Sequence, residues 1–301
     1  MATRAQIEAT YNDLDELFRS TFGEHGDFSG AMYNGDFSLS LEQAQAAKRD
    51  FIVEQLRIGP GSRVLDIGCG WGPVLKEVER RGGHGVGLTL SSRQAEACRR
   101  HGLDVHLLDW KEVTPATFGR FDAVVSVGSF EHYCSKEEYL AGEQGAIYRR
   151  FFRLCSDLLP PGGRMYLQTM LWGRNAPACD RVSLKAPKDS AEYLVAMVSR
   201  FYPGSWLPES VDQLVACAGP EWVFLSFNNG RLDYIQTLDH WQGFWDFRGR
   251  KIWSALKLAP KFVLDGEFRD RIRSAFRGCH RECFVREIMD HQRMVLEKRA
   301  P

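Results

Sequence analysis

The sequence has no apolar run approaching the roughly 20 residues a membrane-spanning helix needs. Its opening, Met1 to Asp13, is polar, so no secretory signal is expected there. It has no excess of either charge: Lys+Arg and Asp+Glu number 39 each. That argues against a dedicated polyanion binder, because phosphate contacts draw on a basic surplus, and no nucleic-acid partner is expected. Internal repeats and low-complexity stretches are also missing. The eight cysteines (69, 98, 134, 155, 179, 217, 279 and 283) form no paired framework and read as reduced thiols of a cytoplasmic protein. Cys279-His280 and Cys283 have no second ligand pair nearby. A structural zinc needs four ligands, so a helical surface or core role is expected and no metal site. What is there is ordinary globular composition: 301 residues, 44% apolar. That suits one large α/β domain with insertions, or two small ones.

The stretch Val64 to Gly72 reads V-L-D-I-G-C-G-W-G. It describes a buried strand entering a turn whose glycines, Gly68, Gly70 and Gly72, let a ligand lie against backbone. The spacing G-x-G-x-G differs from the G-x-G-x-x-G of dinucleotide folds. With Asp66 two residues before the first glycine, it looks like the first motif of class I S-adenosylmethionine (SAM) methyltransferases. An ordinary strand-to-helix turn is the plainer alternative. Around it, a helix over 41–56 stops at Gly59-Pro60-Gly61, and Arg63–Ile67 is the first strand. Pro73 opens a helix to about Arg81. Further strands are expected at Gly85–Leu90, Asp104–Leu108, Phe121–Val127 and Arg164–Leu171, with a helix over Tyr148–Leu159. This alternation implies βαβ units and a mostly parallel, Rossmann-like sheet. Beyond it, a helical stretch at Tyr193–Phe201, a strand at Trp222–Phe227 and a mostly helical region from Tyr234 to Lys298 are expected. Trp241, Phe244, Trp245, Phe247 and Trp253 cluster in that region, most of them as core.

Ligands of such sheets sit beyond the carboxyl ends of the strands, which directs attention to the residues just after each one. After the second strand the usual ribose-binding acid is missing. Thr89 and Gln94 can bond a ribose as neutral groups, while Ser91 and Gln94 also have capping-box spacing. After the third strand, Trp110 can stack on an adenine and Asp109 can accept from its amino group; plain packing explains Trp110 equally well. After the fourth strand come Glu131 and His132, a carboxylate and an imidazole able to orient an acceptor or take its proton. A structural pair is the alternative.

Taken together, the segments resemble the cyclopropane fatty acid and mycolic acid cyclopropane synthase family of SAM methyltransferases. Carrying the resemblance are Tyr11–Leu14, Phe28–Tyr33, Ser40–Lys48, Val64–Gly72, Gly87–Ser91 with Gln94, and Ser126–His132. Downstream, Phe201–Pro208 looks like the family's F-P-G-G-x-L-P turn and Asp233–Trp241 like its H-Y-x-x-T-L-x-x-W helix. The resemblance implies that Phe28 and Ser29 cover the cofactor, that Gly68, Gly70 and Gly72 line its methionine part, and that Thr89, Gln94 and Trp110 hold the rest. It also implies that Glu131 and Tyr234 match two members of a bicarbonate site, the bicarbonate serving as general base. Here the pattern breaks: the family's cysteine is Gly30 and its fifth-strand histidine is Gln168. Bicarbonate use, and with it cyclopropane formation, is therefore doubtful while SAM binding is not. Plant alkaloid N-methyltransferases, similar to this family, use a Glu-His pair at the place of Glu131-His132.

The expectation is one methyltransferase domain over 1–301. It divides into an N-terminal helical cover (1–60), a SAM-binding core (61–171), a lid insert (172–206) and a substrate-side region (207–301). Glu131, His132 and Tyr234 are the catalytic candidates. The acceptor is a hydrophobic small molecule or lipid, methylated on carbon or nitrogen. A nicotinamide dehydrogenase is disfavoured by the glycine spacing, and a non-catalytic SAM-fold protein is the remaining alternative.

Overall fold

The computed structural model describes residues 26–242 and 259–300. Helix α1 (Leu41–Gln55) starts at a capping box: Ser40 Oγ accepts from Gln43 N, and Gln43 Oε1 accepts from Ser40 N. Its inward stripe carries Leu41, Ala44, Lys48 and Ile52, apolar except for the lysine. The alternation then runs β1 (Arg63–Ile67), α2 (Pro73–Arg80), β2 (His84–Thr89), α3 (Ser92–Arg100), β3 (Asp104–Leu107), α4 (Pro115–Phe118) and β4 (Ala123–Val127). Next come α5 (Lys136–Leu140), α6 (Gln144–Leu158) and β5 (Arg164–Trp172). The remainder comprises α7 (Ala191–Phe201), α8 (Val211–Ala218), β6 (Trp222–Asn229), α9 (Arg231–Gln242), α10 (Gly266–Phe276), α11 (Cys279–Val285) and β7 (Met289–Lys298).

The described strands form one seven-stranded sheet in the order β3-β2-β1-β4-β5-β7-β6. The first five are parallel, and β7 runs antiparallel to both β5 and β6. Alternate side chains go to opposite faces. Leu65 and Val124 meet Phe130, Phe151 and Phe152 on one face, while Val64, Val125 and Tyr166 meet Ile52 and Val78 on the other. Each such aliphatic side chain contributes about 1.5–3 kcal/mol by leaving water. With both faces covered, the open end is at the carboxyl edge, where the strand order reverses between β1 and β4.

The strand β7 corrects the expectation of a mostly helical 234–298. Its centre is polar (His291, Gln292 and Arg293, all buried), which hides a strand in the sequence. Arg293 is held by Asp233 and Asn228, each at 2.8 Å from Nη1, and donates through Nη2 to Ala31 O. Tertiary pairing thus overrides local propensity. Tyr11–Leu14, Phe244, Trp245, Phe247 and Trp253 lie outside the described residues. Trp241 stacks on Phe28, ring centres 4.9 Å apart.

Candidate active site

The glycine turn follows β1 at the switch point. Gly68 and Cys69 both donate to Leu88 O, folding the turn against the end of β2. Gly68 has φ +86°, and a Cβ there would stand 2.2 Å from Ser129 Cβ. Ser129 Oγ in turn hydrogen-bonds Ile67 O at 2.6 Å, Ser126 Oγ at 2.9 Å and Tyr133 OH at 3.0 Å. This serine sets the spacing of the β1 and β4 ends, a role nothing in the sequence announced.

A cleft opens above the turn. It is lined by Phe28, Ser29, Asp66, Gly68, Gly70, Thr89, Gln94, Asp109 and Trp110, with His132 at one side. Gly72 corrects an expectation, because it is not a lining residue. It is the left-handed residue that starts α2, and a Cβ there would strike Leu103 Cδ1 at 2.5 Å. Thr89 donates to Gln94 Oε1 at 2.7 Å, and Ser91 Oγ accepts from Gln94 N, so capping and cleft lining coexist. Asp109 Oδ1 accepts from Lys111 N at 3.0 Å, turning the chain into Trp110. The Trp110 ring borders the cleft on one side and packs on Tyr133 and Phe151 on the other. Trp110 is thus a core residue with one side on the cleft.

Below the cleft lies a buried polar group that the motif letters contained but did not explain. Asp27 pairs with Lys48 at 2.7 Å and Arg49 at 3.3 Å, and accepts from Ser29 Oγ at 2.7 Å. Lys48 occupies the inward stripe of α1, and a lysine at that spacing was the available signal. Burial drives its ammonium pKa down, and Asp27 opposes the shift. Nearby, burial and then the Asp27 charge push the Asp66 carboxyl up to about 7. Removing one partner of a buried pair strands the other. Lys48→Met is therefore expected to destabilise the fold by about 3 kcal/mol, checked by urea unfolding.

Glu131 and His132 form a 3-10 turn after β4 and are both buried. Glu131 Oε1 accepts from Met170 N at 2.8 Å, whereas Oε2 is buried with no hydrogen-bond partner. Burial pushes this carboxyl up to about 7, against the pull of backbone donors and of the Thr169 hydroxyl. Burial also pushes the His132 imidazole down to about 4, leaving it neutral at pH 7. Both side chains line a second, mainly apolar cavity with Met170, Trp172, Val195, Val198, Tyr202 and Met289. His132 borders both this cavity and the cleft.

Tyr234 is not brought into either lining. Its ring stacks on His291 at 4.9 Å and meets Phe284 and His280 edge-on. His280, which it meets, has its Nε2 3.3 Å from Sδ of the cavity residue Met170. Cys279 and Cys283 are buried free thiols, and the described residues contain no group of three potential metal ligands.

Residues 1–257 match the family profile of mycolic acid cyclopropane synthetase. The chain belongs to this family. Cyclopropane mycolic acid synthase 1 of Mycobacterium tuberculosis is 31% identical over 243 residues, 79% of this chain and 80% of its own. Cyclopropane mycolic acid synthase 2 of Mycobacterium leprae is 30% identical over 250 residues, covering 78% and 77%. Among solved structures, mycolic acid cyclopropane synthase CmaA1 complexed with SAH and CTAB superposes with a TM-score of 0.77 at 25% identity, covering 98% of each chain. Coclaurine N-methyltransferase shares the fold at 18% identity, TM-score 0.68, over 98% of this chain and 86% of that one. The protein is thus a SAM-dependent methyltransferase with the class I fold. No helix among the described residues is long and apolar enough to cross a membrane.

Proposed function

We propose that this synthase-family enzyme moves the SAM methyl group to a carbon or nitrogen of an apolar small molecule or lipid whose reacting end enters the second cavity, about 30 Å³ here and widened on binding. The carrying observation is the double position of His132, which faces the cleft on one side and that cavity on the other. SAM supplies an electrophilic methyl on a sulfonium sulfur. Gly68 and Gly70 let backbone approach its methionine part, and Phe28, Ser29, Thr89, Gln94, Asp109 and Trp110 enclose the remainder. The walls Met170, Trp172, Val195, Val198 and Tyr202 select an apolar acceptor and exclude water. Positive charge moves toward the acceptor as the methyl transfers, and the Glu131 carboxylate stabilises it there. A proton must leave the acceptor, before attack for an amine and after it for an alkene. Neutral His132 or the unpaired Glu131 oxygen receives it. The α7 segment of 191–201, within the 172–206 insert, roofs the cavity as a lid. The whole chain works as one domain, and its eight free, buried cysteines suit the reducing cytoplasm.

The same reading has no bicarbonate. A side chain at position 30, where the family has cysteine, would put its Cβ 2.3 Å from Tyr234 Cδ2. Gln168 is engaged at both ends: it donates to Gly30 O at 3.0 Å and accepts from Tyr166 OH at 3.0 Å. Tyr234 therefore acts here as packing that closes the former anion pocket, not as a catalytic residue. Gly30→Cys is expected to lower stability by about 1–3 kcal/mol through overpacking, read as a fall in thermal midpoint. An unchanged midpoint with bicarbonate-dependent turnover would refute this part.

Cyclopropane formation without bicarbonate is a second reading, favoured by the names of the relatives at 30–31% identity. SAM carrying a fully deuterated methyl separates the two. A methylated product keeps three deuterium atoms, whereas a cyclopropane keeps two. The enclosing reading is tested by calorimetric titration with SAM; absence of binding would overturn it.

A further inference from the structure

Methyl transfer uses neither of two thiols buried beside the glycine turn. Cys69 belongs to the turn itself, and Cys98 lies near the end of α3. Both sit in one small apolar cluster with Leu75, Leu103 and Val105. Their sulfurs converge. Cys98 Sγ lies 3.4 Å and Cys69 Sγ 3.8 Å from the same carbonyl, Gly70 O, and the two thiols hydrogen-bond each other. Gly87 in β2 leaves the room, because a Cβ there would stand 2.7 Å from Cys69 Sγ. Cys69 and Gly70 line the cofactor cleft, whereas Cys98 does not. The bond with Cys69, and then the charges of Lys76 and Arg99, hold the Cys98 thiol below its ordinary range, against burial and the Asp66 charge. The same bond, burial and Asp66 push the Cys69 thiol up.

We propose that Cys69 and Cys98 form a peroxide-sensitive modification site, joined by hydrogen peroxide in a disulfide that weakens cofactor binding. The cleft brings a molecule of that size to Cys69 and Gly70, beside the pair. The thiolate is the attacking form, which assigns the attack to Cys98. Its sulfur bonds one peroxide oxygen, the O–O bond breaks, and the departing hydroxide takes up the thiol proton as water. A sulfenic acid remains. The Cys69 sulfur then bonds the Cys98 sulfur, the S–O bond breaks, and the second hydroxide leaves as water with the Cys69 proton. Two thiols lose two electrons, and one peroxide becomes two waters. The disulfide closes the sulfur contact to about 2.05 Å and removes both S–H donors from Gly70 O. It ties the glycine turn to α3, whose Gln94 lines the same cleft. Gly70 has to shift, and the cleft floor shifts with it. A change that lowers affinity for a ligand is opposed by that ligand in equal measure, so bound cofactor protects the thiols. The effect depends on the cofactor cleft and not on the identity of the acceptor.

The test treats the whole chain with a small excess of hydrogen peroxide, then denatures it and alkylates the remaining thiols. Two of the eight free thiols should become unreactive, with a mass loss of two hydrogens, and peptide mapping should place the bridge between Cys69 and Cys98. Calorimetric affinity for S-adenosylhomocysteine should fall at least about tenfold and return after dithiothreitol. Saturation with S-adenosylhomocysteine beforehand should slow bridge formation about tenfold. Cys98→Ser keeps the size and a donor for Gly70 O, while Cys98→Ala removes both. Each should bind S-adenosylhomocysteine within about threefold of reduced wild type, which shows an intact fold, and lose the peroxide response. Eight thiols still reactive, a bridge elsewhere, or a Cys69–Cys98 bridge with unchanged affinity would overturn the inference. Absence of binding by the reduced protein would overturn the cofactor reading and this one with it, whereas a missing bridge overturns only this one.

Discussion

Glu131→Gln is expected to lower turnover by about two to three orders of magnitude while leaving the affinity for S-adenosylhomocysteine within about threefold. The substitution keeps volume and keeps an oxygen for the Met170 amide, which Glu131 Oε1 now accepts at 2.8 Å. It removes the charge and the basic oxygen to which the proposed proton step is assigned. Glu131 lines that cavity and not the cofactor cleft, so binding and chemistry should separate. Equal losses in both would mean that Glu131 only supports the turn after β4. The pH dependence has a definite sign. With its carboxyl at about 7, wild-type turnover should rise as pH passes through 7 and the charged form appears. The Gln variant should lose that limb.

Stability should move the opposite way. The folded pKa of Glu131 is raised above the ordinary 4.5, so its contribution to stability is fully present below about pH 4.5 and is lost as pH rises through 7. Relative to wild type, Glu131→Gln should therefore gain up to about 3 kcal/mol between pH 5 and pH 8 in denaturant titrations. His132 has the reverse linkage. Its pKa is lowered from 6.5 to about 4, so its contribution is present above 6.5 and is lost as pH falls through 4. A site that costs stability at the pH where it works is an ordinary consequence of burying the reacting groups.

Gly68→Ala is expected to weaken S-adenosylhomocysteine binding by at least about a hundredfold and to lower the thermal midpoint. Two costs combine. A left-handed conformation costs a non-glycine residue about 1–2 kcal/mol, and Gly68 has φ +86°. The new methyl would also stand 2.2 Å from Ser129 Cβ, and Ser129 cannot move freely because its hydroxyl ties Ile67, Ser126 and Tyr133 together. The turn would have to leave β4, and the cleft floor would shift with it. Gly70→Ala is the informative control. A Cβ at Gly70 meets nothing within 4 Å, yet Gly70 lines the cleft. It should cost only the left-handed backbone strain of about 1–2 kcal/mol (φ +56°), less stability than Gly68→Ala, and still reduce cofactor affinity. Calorimetry and thermal unfolding of the two variants side by side would separate backbone architecture from ligand contact. Equal stability of both would contradict the packing argument.

The parallel half of the molecule was legible because its strands are short, largely apolar runs separated by glycine, proline or helix-capping residues, and their carboxyl ends point to the site. Asp66, Gly68, Thr89, Gln94, Asp109, Trp110 and His132 all meet at one cleft for that reason. Gly72 was misread because spacing alone does not separate a glycine that touches ligand from one that lets a helix begin. The strand β7 was hidden because its buried residues are polar and find their partners far away in sequence, Arg293 with Asp233 and Ala31. Tyr234 was carried over from the family pattern, but its ring fills the space that Gly30 leaves. Nothing in the sequence singled out the hydroxyl of Ser129, which bonds Ile67 O, or that of Ser205, which meets His132; only the three-dimensional contacts show them.

The most direct measurement is transfer of a radiolabelled methyl from SAM to a panel of unsaturated phospholipids and hydrophobic amines in carbonate-free buffer, with Glu131→Gln alongside. The wild type should label an apolar acceptor at a rate unchanged by added bicarbonate, and the variant should be slower by about a hundredfold or more. A wild-type rate that depends strongly on bicarbonate, or a variant as fast as wild type, would contradict the account.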